Sequence, residues 1–261
     1  MSDYPQMIVP EGHVEPVPRR IRAFLGGQTV LDTTAARYVW ESPKYPQYYV
    51  PLEDVDEDLL VDEGRARHRQ HGNARRIGLR AGPHERPNAG WVYDSGELSG
   101  TVRLLWPAVD AWFEEDEQVY VHPRSPYTRV DAVRSTRRVR VELDGTVLAE
   151  SDATVMVFET GLPTRYYFDR PSVDYSHLLP TDTVTACPYK GVTSAYWAAQ
   201  VGDEVHPDLA WAYDFPTRQL SPITGLVAFY NEQVDVSIDG ERLERPVTHF
   251  SRSGVAGQAP T

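Results

Sequence analysis

Hydrophobic and polar residues alternate along much of this chain with a period of two. Val139, Val141 and Leu143 are separated by Arg140 and Glu142, and Asp144-Gly145 then supplies the two positive-φ positions of a tight hairpin turn. Gly26-Gly27 stands at the matching place upstream, and Val234, Val236 and Ile238 alternate into a further turn at Asp239-Gly240. Val192 to Val201 reads as a strand in the same way. No long segment carries the 3.6-residue period of an amphipathic helix, and the helix candidates are short pieces around Glu53 to Leu60 and Pro222 to Tyr230. The pattern predicts a mainly β fold with short helical pieces.

The alternation occurs twice. Shifting the sequence by 118 positions lays Arg19 to Leu60 on Arg137 to Leu178 without a gap, with 13 identities in 42 positions, among them Gly27/Gly145, Glu41/Glu159 and Tyr48-Tyr49/Tyr166-Tyr167. The second half returns with small insertions: Trp91-Val92-Tyr93-Asp94 over Trp211-Ala212-Tyr213-Asp214, Gly100 over Gly225, and Val109-Asp110 over Val234-Asp235. A tandem pair of domains is expected, at 19–129 and 130–250, each of common domain size. Residues 1–18 and 251–261, rich in Pro, Gly and polar residues, read as loose tails.

An ordered set of motifs then resembles a known family. These are Arg138-Val139-Arg140 leading to Asp144-Gly145, Glu159-Thr160-Gly161-Leu162-Pro163-Thr164-Arg165-Tyr166-Tyr167-Phe168, Cys187-Pro188-Tyr189-Lys190-Gly191, Trp211-Ala212-Tyr213, and Val227-Ala228-Phe229-Tyr230 with Val234-Asp235-Val236. Together they are similar to domain of unknown function 427, also called nucleotidyltransferase domain 9. The resemblance implies a bacterial protein of two β-tent-like domains, a fold similar to the peptide methionine sulfoxide reductase and cereblon ligand-binding domains. It implies no particular catalytic mechanism. The first copy has His68-Arg69-Gln70-His71-Gly72 near the place of the Cys187 to Gly191 motif, and the paired Cys-x-x-Cys zinc sites of many β-tent proteins are absent.

Charge and cysteine content narrow the function classes. A net charge of −12 argues against a general nucleic-acid binder, which needs a basic face to displace counterions. No apolar run is long enough for a membrane span and no cationic leader precedes one, so a cytoplasmic protein without membrane or nucleic-acid partners is expected. Cys187, the single cysteine, can form no intrachain disulfide or cysteine-based zinc cage, and neither a metal nor a cofactor is expected. Nucleotidyl transfer would require magnesium-binding carboxylates beside a glycine-rich phosphate loop. Asp54-Val55-Asp56 has the carboxylate spacing, but Asp54 becomes Ser172 in the second copy and no such loop precedes it.

Of 26 basic residues only Lys44 and Lys190 are lysine. Lys190 with Tyr189 and Cys187 is therefore the sharpest candidate: an ammonium beside a thiol lowers the thiol pKa, and a compact point charge suits a ligand clamp, whereas in a purely structural role Cys187 packs as a small hydrophobe and Lys190 pairs with an acid. Aromatic residues supply the second candidate set, Tyr166, Tyr167, Trp197, Trp211 and Tyr213 with Arg165 and Glu159 in the second copy, and Trp40, Tyr48, Tyr49, Trp91 and Tyr93 in the first. Tyr and Trp suit a pocket lining as well as a core, and on a strand the members of a Tyr-Tyr pair face opposite ways. A charge switch, acidic from Glu53 to Glu63 and basic from Arg65 to Arg80, reads either as an anion site or as a solvated loop. Three functions are open: binding of a small flat or elongated molecule in an aromatic cleft, with the second copy carrying the better site; an enzyme, transferase or hydrolase, using Lys190 and Cys187; or a scaffold that binds protein partners.

Overall fold

The computed structural model describes residues 4–69 and 71–251, with the backbone alone at residues 65 and 66. They form two compact units, residues 8–125 and residues 126–251 together with 4–7. Each unit is built from a seven-stranded and a four-stranded antiparallel sheet, the mainly β arrangement expected of tandem β-tent-like domains.

In the first unit the large sheet runs Val14–Pro16, Arg37–Val39, Gln47–Pro51, Thr101–Leu104, His84–Tyr93, Gly72–Ala81, Leu60–Arg69. The small sheet runs Glu117–Val119, Ala111–Glu114, Ile21–Leu25, Gln28–Thr33. The second unit repeats both orders, with Val130–Ser135, Thr154–Glu159, Arg165–Phe168, Val227–Phe229, Glu204–Ala212, Ala195–Val201 and Leu178–Thr181 in the large sheet. Registers match as well: Tyr38 faces Tyr48 as Met156 faces Tyr166, and Trp91 faces Arg103 as Trp211 faces Ala228.

The hairpin turns fall where the sequence places them, with Asp144 at φ 49° and Gly145 at φ 81°, and Gly26 and Gly27 at 57° and 77°. Both positions of such a turn need a left-handed backbone that a branched side chain resists. Several sequence expectations change. The N-terminal tail contains a strand, Val14–Pro16, which pairs with Arg37–Val39 as Val130–Ser135 pairs with Thr154–Glu159, so the repeat begins before residue 19. Glu53 to Leu60 forms two 3-10 turns, capped in the second by the Asp56 carboxylate. The Pro222 to Tyr230 piece is helical only to Ile223; Gly225 turns left-handed and Val227–Phe229 is a central strand. Trp112 faces Ala23 as Val236 faces Val141, a shift of 124 that displaces the Val109-Asp110 alignment by one residue. The basic stretch after Glu63 is no loop but the Leu60–Arg69 and Gly72–Ala81 hairpin, with Arg75 held by Asp62. Of the C-terminal tail only Ser251 lies within the described residues.

The core of each unit lies between its two sheets, with Ile21, Leu25, Leu31, Tyr48 and Trp112 in the first and Val139, Leu148, Phe168, Trp197 and Ile238 in the second. The opposite face of each large sheet carries a separate apolar cluster, Val39, Tyr49, Ala74, Tyr93 and Leu98 in the first unit and Tyr167, Tyr196, Trp211, Tyr213 and Tyr230 in the second. Among the described residues no helix is long and apolar enough to cross a membrane.

Candidate functional site

Strand alternation divides the candidate aromatic residues. Trp40, Tyr48, Tyr166 and Trp197 point between the sheets and belong to the cores. Tyr49, Tyr93, Tyr167, Trp211 and Tyr213 lie on the opposite face, with Trp91 half-buried beside them.

In the second unit this face collects charge. After Thr181 the chain leaves the sheet and folds into a small hairpin, Ala186–Cys187 against Gly191–Val192, with Tyr189 and Lys190 in its turn. Lys190 Nζ donates to Glu159 Oε2 and lies 3.8 Å from Cys187 Sγ, and both charged side chains are more than nine-tenths buried. Thr217 fixes the turn, its N–H on the Lys190 carbonyl and its hydroxyl on that of Tyr189. Beneath it Trp211 Nε1 donates to Tyr167 Oη at 3.2 Å, and the hydroxyls of Tyr196 and Tyr230 meet at 3.0 Å. Arg165 forms a separate buried centre. It donates to both carboxylate oxygens of Glu232 at 2.6 and 2.7 Å and to Asn231 Oδ1, and its guanidinium lies within 5.9 Å of the rings of Trp211, Tyr230 and Phe250. Thr248 also donates to Glu232.

Burial sets the protonation states. It pushes the Cys187 thiol up, outweighing the Lys190 ammonium, so the thiolate that the sequence spacing suggested is not the resting form. Burial alone would lower the Lys190 pKa, but Cys187, Glu159 and Tyr167 together raise it. At neutral pH the thiol and phenol carry no charge, so Glu159 is the partner that holds the proton on Lys190. The Tyr167 phenol is pushed up to about 12, again by burial. Burial would raise Glu232, yet its bonds to Arg165 keep it below the usual carboxylate range.

The first unit builds the same centre with other parts. Glu41, equivalent to Glu159, accepts from Tyr49 Oη at 2.9 Å and is gripped by Arg103 at 2.8 and 3.2 Å. Tyr49 in turn meets Tyr93 Oη at 3.2 Å. Arg103 occupies the ladder position of Ala228, both opposite the equivalent tryptophans. Sequence reasoning missed Arg103, and also Glu114, whose buried carboxylate accepts from Tyr48 Oη at 2.7 Å and from Arg19. The signal for Glu114 was present, since Trp112 and Glu114 share one face of a strand and Trp112 is core. Asp54 and Asp56, spaced like magnesium ligands, are used locally: Asp54 accepts from Thr33 and Asp56 caps its 3-10 turn.

A His/Asp/Glu group that could accept a cation lies elsewhere. Asp144, Glu204 and His206 bring their donor atoms within 4.8 Å of one another, and two of the three are exposed.

The family model described as a domain of unknown function (DUF427) matches this chain at residues 13–115 and again at 131–240. The chain belongs to this family. It carries the DUF427 domain twice, and the equivalent glutamates, tyrosines and tryptophans all fall inside the matched segments. No curated protein matches the chain.

Proposed function

We propose that this tandem DUF427 protein binds a small, flat molecule on the outer aromatic face of its large sheets. One observation carries the reading: a Tyr, Trp, Tyr and Glu set recurs at equivalent positions of the two copies, and each glutamate receives a cation from a different element, Arg103 on a strand and Lys190 in a hairpin turn. Packing alone favours apolar residues here, because a buried ion pair regains little more than its desolvation cost. Aromatic walls with a few fixed polar groups are the usual lining of small-molecule sites. A protonated Cys187 and a protonated Lys190 suit hydrogen-bond donation to a ligand better than nucleophilic attack, which favours the binding reading over the enzyme reading.

The test is thermal denaturation against a panel of metabolites. At least one chemical class should raise the melting temperature in a saturable way, as a ligand selective for the folded state must. The effect should disappear in Trp91→Ala or Trp211→Ala. A panel with no stabilising compound, or stabilisation indifferent to both tryptophans, overturns the reading.

A further inference from the structure

Trp91 stands in a cross-strand row between Arg76 on one side and Arg103 on the other. The guanidinium carbons of both lie within 5.9 Å of its ring, and that of Arg69, from the end of the edge strand beyond Arg76, stacks on it at 3.9 Å. Directly opposite residues in antiparallel strands project from the same face, so the row is a property of the ladder and not of chance side-chain placement. The same row in the second unit reads Tyr196, Trp211, Ala228. The cationic version belongs to the first unit alone.

The acids near this row leave it positive. Arg103 is nine-tenths buried and fully engaged by Glu41. Arg76 Nε lies 3.7 Å from Glu63, beyond hydrogen-bonding distance, and has no hydrogen-bond partner among the described residues although the atom is buried. Arg69 has no carboxylate partner among the described residues. A buried guanidinium nitrogen without a hydrogen-bond partner, beside an arginine with no acid, is costly in a folded protein unless something accepts from it.

We infer that the Arg69, Arg76 and Trp91 cluster is a binding site for a small organic oxyanion, a carboxylate or a phosphate monoester. The oxyanion accepts from the guanidinium groups of Arg76 and of Arg69, the latter stacked on Trp91; arginine's planar fork matches both kinds of anion. The cluster lies in a chain of net charge −12, so it is a local reversal of sign and not a reflection of overall basicity. The inference rests on the ligand-binding reading above and gives its first-unit site a substrate class.

The experiment is a titration of the ¹⁵N-labelled full chain with phenyl phosphate, benzoate and inorganic phosphate, and with phenol and benzylamine as neutral and cationic controls. The readout is the indole N–H signal of Trp91, assigned from Trp91→Phe. The anions should move that signal saturably, phenol and benzylamine should not, and Arg69→Gln and Arg76→Gln should each weaken phenyl phosphate binding at least fivefold. These two arginines carry the test because Arg103→Gln would strand Glu41 and could unfold the unit. Raised salt should weaken binding as well. If benzoate and phenyl phosphate separate, the tighter one names the class. Equal shifts with phenol or benzylamine overturn the anion site while leaving small-molecule binding intact. No shift with any anion overturns it too, and a positive metabolite panel would still leave the broader reading standing.

Discussion

Lys190 donates to Glu159 from a hairpin turn, whereas the equivalent Glu41 is held by Arg103 from a strand. The first unit continues its edge strand as far as Arg69, while the second breaks off after Thr181 and spends the following residues on the hairpin that carries Cys187 and Lys190. One scaffold thus presents a covered centre in the second unit and a more open, cationic one in the first.

Removing Lys190 leaves a carboxylate buried without its cation. Lys190→Met is expected to destabilise the second unit by roughly 3–5 kcal/mol, the cost of breaking a buried pair. Glu159→Gln added to it should recover much of the loss, because an amide is cheaper to bury than a charge. Urea unfolding of the single and double variants measures the coupling. The Lys190 ammonium is held above its ordinary 10.5, so the contribution should be undiminished through neutral pH and decline only as the pH climbs past that value.

Glu232 gives the opposite pH dependence. Its carboxyl is held below its ordinary 4.5, so it stabilises the fold above that value and the contribution is lost as the pH falls through the lowered one. Melting curves from pH 7 to pH 3 should show wild type losing stability faster on acidification than Glu232→Gln. Parallel curves would mean that the Arg165 pair carries no net stability. At neutral pH Arg165→Met should cost roughly 3–5 kcal/mol for the same reason as Lys190→Met.

The Cys187 thiol, buried and shifted up, should react slowly with a disulfide reagent at pH 7.5 in the folded protein and at an ordinary rate in urea. A fast stoichiometric reaction in the folded state would instead show an activated thiolate and revive the enzyme reading.

Much of this architecture was legible from local pattern. Asp144-Gly145 and Gly26-Gly27 fixed two hairpins because few residue pairs take that backbone, and the adjacent tyrosines divide between faces because strand periodicity is two. The scarcity of lysine pointed at Lys190 before its partner was known. What local pattern cannot supply is which strands become neighbours. Arg103 looks like one charge between Val102 and Leu104 until the ladder sets it against Trp91 and within reach of Glu41, 62 residues earlier. Arg69 and Arg76 belong to a basic stretch that reads either as an anion site or as a solvated loop until pairing with Gly72–Ala81 and His84–Tyr93 makes them the rim of an aromatic face. Glu232 was hidden for the same reason, its partner Arg165 being 67 residues away.

The measurement that bears most directly on the ligand-binding account is a crystal structure of the protein with whichever compound most raises its melting temperature. The account predicts that compound against Trp91 or Trp211, in contact with the cations of that face. A compound seated elsewhere, for example in the surface depression lined by Asp235, Arg242 and Arg245, with both tryptophan faces untouched, would contradict it.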